Sequence, residues 1–138
     1  MERIEVRAVR RVRGDDLLRL YREAGWWKPS APPPPGYLEA LVRGSVCFVG
    51  AFCERRLVGM GRALSDGVSD AYIQDVTVLR DFRNRGVGGR IIAEIVRCLR
   101  RRGVDWIGLV AEPGAHTFYR GLGFRAMRGF RPMRWRGR

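Results

Sequence analysis

The stretch AYIQDVTVLRDFRNRGVGGRIIAEIVRCLRRRGVDWIGLVA, residues 71–111, decides the fold. Its first eight residues, Ala71 to Val78, are rich in β-branched and aromatic side chains and read as a strand. The polar run Arg80 to Arg85 follows, and from Val87 to about Arg102 the apolar residues Ile91, Ile92, Ile95, Val96 and Leu99 fall at helical spacing, with Gly103 as the stop. This helix is ~24 Å long. Val104 to Ala111 is largely apolar and predicts a strand buried on both faces. Strand, helix and strand in this order predict a right-handed crossover between parallel strands.

Outward from this unit, Val46 to Phe52 and Leu57 to Leu64 are two apolar runs joined by Cys53-Glu54-Arg55-Arg56, which predicts a β-hairpin, and Ser65-Asp66-Gly67 is the next turn. Ile4 to Val9 alternates as a strand. Leu17, Leu18, Leu20 and Tyr21 form one stripe of a helix that Asp15 or Asp16 caps and Gly25 stops. Trp26 to Pro35 carries two tryptophans and five prolines and must be a loop. A short helix from Tyr37 to Arg43, another from Ala115 to Arg120 and a final strand or hairpin from Phe124 to Trp135 complete a β-α-α-β-β-β-α-β-α-β order. The chain is therefore expected to be one mixed α/β domain spanning residues 1–138.

Composition narrows the function classes. With 138 residues there is room for one core. The net charge is +13, and 26 of the 27 cationic side chains are arginine, with Lys28 the exception. Guanidinium grips phosphate in a two-pronged fork, so this balance points to anionic partners. The longest apolar run, Val46 to Cys53, is far shorter than a bilayer span, and the amino terminus alternates charged and apolar residues where a secretory signal needs an unbroken apolar run. A cytoplasmic protein without membrane contact is expected. Cys47, Cys53 and Cys98 form no CxxC pair, and His116 is the lone histidine, so neither a disulfide scaffold nor a metal site is expected.

The chemistry-bearing motif is Arg83-Asn84-Arg85-Gly86-Val87-Gly88-Gly89-Arg90. A helix that starts in glycines leaves its first amides open, and its dipole favours an anion there. Arg83, Arg85 and Arg90 add donors around those amides. Ile91 occupies the third-glycine position of a dinucleotide fingerprint, and Arg90-Ile91 replaces the Lys-Ser/Thr pair of a nucleotide-hydrolysing loop, so both readings fail.

The spacing Arg-x-x-Gly-x-Gly at Arg83, Gly86 and Gly88, together with Phe118-Tyr119-Arg120-Gly121-Leu122-Gly123-Phe124, resembles the GNAT superfamily of acetyl-CoA-dependent N-acetyltransferases. That resemblance implies a mixed, mostly antiparallel sheet flanked by helices. It also implies acetyl-CoA as co-substrate, no metal, and transfer of an acetyl group to a primary amine by direct attack. By it, the backbone of Val76, Thr77 and Val78 pairs with the pantetheine arm. The amides of Arg83, Asn84, Arg85, Gly86, Val87, Gly88, Gly89 and Arg90 hold the pyrophosphate, and Tyr119 protonates the leaving thiolate. The other reading of Tyr119 is a helix tyrosine packed on the sheet.

Tyr72 stands where relatives such as histone acetyltransferases carry a carboxylate. Asp75 and Glu112 are the nearest acids to act as base through water, Asp75 being the first choice. His116 is an alternative base, and Asp75 has an equal reading as a structural hydrogen-bonding group. Tyr72 to Val78 and the ending Arg131-Pro132-Met133-Arg134-Trp135 look similar to small bacterial and chloroplast members that include arylalkylamine-acetylating enzymes. Trp26, Trp27 and Tyr37 then lie where an apolar amine enters, or else anchor the proline loop. Dimers are frequent in such families, so a homodimer is open.

Two rivals remain. A nucleic-acid-binding module would use the arginines of residues 7–13, 97–102 and 125–138 against backbone phosphates, although no RNA-binding aromatic motif or reading helix is present. An acetyl-CoA-binding regulator without transferase activity would need no base.

Overall fold

A computed structural model describes residues 2–137. Met1 and Arg138, the two ends of the expected domain and the last member of the carboxy-terminal arginine cluster, lie outside the described residues. Five strands form one sheet in the order β1-β2-β3-β4-β5: β1 (Ile4–Ala8), β2 (Cys47–Cys53), β3 (Arg56–Ser65), β4 (Asp70–Val78) and β5 (Trp106–Leu109). The first four pair antiparallel and β5 pairs parallel to β4, which gives the mixed, mostly antiparallel sheet. Helices α1 (Gly14–Glu23) and α2 (Tyr37–Gly44) lie between β1 and β2. A 3-10 turn (Arg80–Phe82) and α3 (Val87–Arg101) connect β4 to β5, and α4 (His116–Arg120) comes last.

The β2–β3 hairpin closes through Glu54 and Arg55, both left-handed at φ 49° and 70°, the geometry whose twist suits a two-residue hairpin. Helix α3 packs across β1 to β4, burying Ile91, Ile92, Ile95 and Leu99, the residues whose spacing marks it as amphipathic. Close approach is what Gly61 provides: a Cβ there would stand 2.8 Å from Ile91 Cγ2 and 2.9 Å from Ile95 Cδ1. Arg62, the next residue in β3, faces the other way, toward Ser45 beyond the end of α2. Helices therefore flank both faces. At roughly 1.5–3 kcal/mol per fully buried large aliphatic side chain, the α3 seam is a major stabilising contact.

Three expectations are corrected. Neither Asp15 nor Asp16 caps α1: the helix starts at Gly14, so both lie inside its first turn, and the Asp16 carboxylate is buried, accepting the Leu57 amide at 3.2 Å and pairing with Arg19 at 3.6 Å. Tertiary hydrogen bonding has taken the side chain that local rules assign to capping. The second crossover strand is shorter than Val104 to Ala111. It spans four residues and is only partly covered, because β5 is an edge of the sheet. Residues 124–137 form neither strand nor hairpin: Phe130, Met133 and Trp135 are 71%, 92% and 87% exposed, with no described strand beside them to complete a ladder.

Strands β4 and β5 stay paired only from Asp70–Trp106 to Ile73–Leu109. Beyond Ile73, β4 continues five residues to Val78, whereas β5 ends at Leu109. Between Met60–Thr77 and Arg62–Gln74, two β4 residues, Asp75 and Val76, oppose the single Gly61. This is a bulge, with Asp75 left-handed at φ 56°, and it bends β4 where the two strands part. The opening between them positions the site.

Candidate active site

The cleft opened by that separation has a volume of about 1010 Å³. Its floor is β4 from Tyr72 to Val78, one wall is the loop and first turn of α3, and the other carries Leu109, Glu112 and the α4 residues Phe118 and Tyr119. Trp26 closes the end nearest α1.

At the α3 end, Asn84 and Gly86 are left-handed at φ 62° and 77°, which folds the chain back on itself just ahead of the helix. The amides of Asn84, Arg85, Gly86, Val87, Gly88 and Gly89 find no acceptor among the described residues. Six donors thus gather at the positive end of a 15-residue helix, the arrangement that binds phosphate groups. The expected range narrows at both ends, because the Arg83 amide bonds Arg80 O and the Arg90 amide bonds Gly86 O, each at 3.2 Å.

The arginine side chains also divide. Arg83 lines the cleft, its Nε donating to Val78 O at 2.8 Å with Glu23 3.9 Å away. Arg85 instead donates to Asp81 O at 3.2 Å and lies over the Phe82 ring, and Arg90 donates to Ile4 O of β1 at 2.9 Å. Neither of the last two lines the cleft, because their positions on the loop and on the first turn of α3 point them elsewhere.

Gly88 has a second task that the sequence does not display. A Cβ on Gly88 would meet Phe118 Cζ at 3.2 Å, so this glycine also lets α4 approach α3, whereas one on Gly89 would meet Leu122 Cδ2 at an ordinary contact distance of 3.5 Å. Tyr119, next to Phe118, is half-buried, with its ring edge-on to Phe118 and to Phe124 at centroid distances of 4.9 and 5.9 Å. Burial, reinforced by the nearby Glu112 charge, pushes its hydroxyl above the usual tyrosine value. Tyr119 is therefore packed against its neighbours, lines the cleft and holds its proton more tightly than a free tyrosine.

Asp75 lines the same cleft and is held from two sides that sequence reading missed. Its Oδ2 accepts the Tyr21 hydroxyl at 2.6 Å and Arg62 Nε at 2.8 Å. Tyr21 shows only as one apolar position of the α1 stripe, and Arg62 as one of many arginines. No local pattern announces either. Burial first, then Asp75, pushes the Tyr21 hydroxyl far above its ordinary value, so it serves as a donor only. Glu112 is exposed at the cleft rim, and His116 is exposed and does not line it.

The three aromatic residues flanking the proline loop separate. Trp26 lines the cleft, whereas Trp27 and Tyr37 pack on one another at 5.2 Å and the Trp27 N–H donates to Ala31 O at 2.8 Å, anchoring the loop. Among the described residues, no group of three or more His, Cys, Asp or Glu is placed to hold a metal ion, and no helix is long and apolar enough to cross a membrane.

Residues 14–124 match the family model described as Acetyltransferase (GNAT) family. The chain is 32% identical over 113 residues to the uncharacterized N-acetyltransferase ycf52 of Gracilaria tenuistipitata var. liui, covering 79% of this chain and 60% of that protein. It is 42% identical over 69 residues to a protein named serotonin N-acetyltransferase 2, chloroplastic, of Oryza sativa subsp. japonica, covering 50% of this chain and 34% of that one. It spans 32% to 60% of the length of the curated relatives it matches. A GNAT-family acetyltransferase from Streptococcus pneumoniae superposes with a TM-score of 0.82 at 25% identity, covering 99% of both chains.

Proposed function

As the chain belongs to the GNAT acetyltransferase family, we propose that it transfers the acetyl group of acetyl-CoA to a small primary amine by direct attack in the cleft between β4 and β5. The observation that carries this reading is the set of bare amides at the start of α3, of which those of Asn84, Gly86, Val87, Gly88 and Gly89 belong to residues lining the same cleft as Tyr119. In this scheme those amides and Arg83 bind the pyrophosphate, and the backbone of Val76 to Val78 runs alongside the pantetheine arm. The thioester then lies at the β4 bulge beside Tyr119.

The amine nitrogen attacks the thioester carbonyl, and a β4 amide near Val76 is the proposed donor to the oxyanion. Collapse of the adduct breaks the C–S bond, and the thiolate takes a proton from the Tyr119 hydroxyl, which its environment keeps protonated at neutral pH. An alkylamine has a pKa of roughly 10 and must lose a proton before or during attack. Asp75, directly or through a water, is the proposed recipient. Trp26 offers an apolar wall for the body of the acceptor, which supports an arylalkylamine-like molecule, as does the similarity to the rice protein named serotonin N-acetyltransferase 2. Three free thiols support the cytoplasm as the compartment, and the exposed Phe130, Met133 and Trp135 support a homodimer, to be checked by sedimentation.

The deciding experiment compares thermal stabilisation by acetyl-CoA with that by mixed oligonucleotides, followed by thiol release over a panel of amines. The expected result is stabilisation by the coenzyme, about 2.7 kcal/mol at a hundred times Kd, and thiol release with at least one amine. Stabilisation by nucleic acid alone defeats the reading. Coenzyme binding without thiol release makes the protein a sensor of acetyl-CoA instead.

A further inference from the structure

The Asp75 carboxylate is used unevenly. Its Oδ2 takes both hydrogen bonds, from Tyr21 of α1 and from Arg62 of β3, while Oδ1 accepts none among the described residues. The side chain is 24% exposed and lines the cleft. Two fixed donors on one oxygen leave the carboxylate little freedom to rotate, so the position of its other oxygen is set by residues distant in the chain, Tyr21 lying 54 positions away. Asp75 itself sits at the bulge with a left-handed backbone, φ 56°, a region that Asp enters more readily than most side chains.

Tyr21 also reaches a second wall of the cleft. Its ring meets that of Trp26 edge-on, with centroids 5.6 Å apart and planes at 83°. One buried side chain thus seats the carboxylate through its hydroxyl and the aromatic wall through its ring.

Resting on the acetyl-transfer reading, we propose that Tyr21 and Arg62 are positioning residues that lock Asp75 by one oxygen, so that Oδ1 faces the acceptor nitrogen while Trp26 is set against the acceptor's apolar body. Oδ1 accepts an N–H of the incoming amine and receives its proton as the N–C bond forms. Tyr21 keeps its own proton throughout and transfers nothing. Specificity follows: the acceptor is an amine whose nitrogen and flat apolar part reach Asp75 and Trp26 together.

The test is a double-mutant cycle on the full chain, read as kcat and KM for the best amine of the panel, with acetyl-CoA Kd measured alongside. Tyr21→Phe is expected to lower kcat/KM for the amine about tenfold to a hundredfold and to leave the coenzyme Kd unchanged. Asp75→Asn costs at least as much, and the Tyr21→Phe/Asp75→Asn double variant is no worse than Asp75→Asn alone, because Tyr21 acts through Asp75. Arg62→Lys retains more activity than Arg62→Met and gives a second route should Tyr21→Phe fold poorly. Multiplying effects of Tyr21→Phe and Asp75→Asn overturn the proposal, as does a coenzyme Kd that weakens in step with kcat/KM. If the wild-type protein releases no thiol with any amine, the transfer reading itself fails and takes this proposal with it. Turnover by the wild type with an additive cycle removes this proposal alone.

Discussion

The ring of Phe118 lies 3.2 Å from the place where a Cβ on Gly88 would stand, so the missing side chain admits the approach of α4 that brings in Tyr119 and leaves space in the cleft beside the bare Gly88 amide. Gly88→Ala should therefore separate binding from stability. Alanine in a helix gains about 1 kcal/mol over glycine, which offsets the crowding of Phe118. The melting temperature is expected to move by no more than a few degrees, while the acetyl-CoA Kd rises about tenfold in titration calorimetry. An unchanged Kd would detach Gly88 from the coenzyme site.

Gly61→Ala tests the seam beneath the bulge. The added methyl would meet two fully buried isoleucines, Ile91 and Ile95, below 3.0 Å, and a packed core relaxes poorly around extra volume. A loss of about 1–3 kcal/mol is expected in urea unfolding, against little change for an alanine at an exposed helix position.

Asp16→Ala should cost about 1–3 kcal/mol, because it strands the Leu57 amide beside a buried side chain. Asp16→Asn keeps an acceptor oxygen and should lose clearly less. Equal losses for the two variants would show that the hydrogen bond to Leu57 is not what makes Asp16 matter.

For Tyr119, removal of the hydroxyl in Tyr119→Phe is expected to lower kcat by about a hundredfold or more while coenzyme affinity holds. In the wild type, burial and then Glu112 raise the hydroxyl above its ordinary value, so the loss of the acid at saturating amine is displaced to higher pH than for a free tyrosine. Glu112→Gln removes a contribution that raises the value. The alkaline limb should move to lower pH yet stay above that of a free tyrosine, since burial persists.

Stability should fall in strong alkali. Burial, then the hydrogen bond and charge of Asp75, raise the Tyr21 hydroxyl in the folded state, so folding favours its protonated form. That contribution is complete below the unfolded value near 10 and is lost as pH rises toward the folded one. Denaturation midpoints followed from pH 8 to 11.5 should drop beyond pH 10 in the wild type and drop less in Tyr21→Phe.

Much of the architecture was legible because it is written in near neighbours. The isoleucine spacing of α3, the glycines that open it and the strand that precedes it are local signals, and the amide-rich turn follows from them directly. The hairpin at Glu54 and Arg55 is equally local. Its apolar runs flank a short polar turn, whichever element packs above.

Other features depend on segments far apart in the chain. Asp16 looks like a cap until β3 brings the Leu57 amide to it, and Asp75 looks like a lone acid until α1 and β3 deliver Tyr21 and Arg62 to the same oxygen. Residues 124–135 alternate well enough for a strand, but a strand needs a partner edge, and the described fold offers them none. From its sequence alone, the order of this protein's elements as far as α4 and the glycine turn at residues 83–90 were determined, because periodicity and glycine placement act over a few residues. Which amides stay bare, which arginine lines the cleft and how Asp75 is aimed were decided only by tertiary structure, because each depends on a hydrogen bond or packing contact whose partner is set by the folded chain.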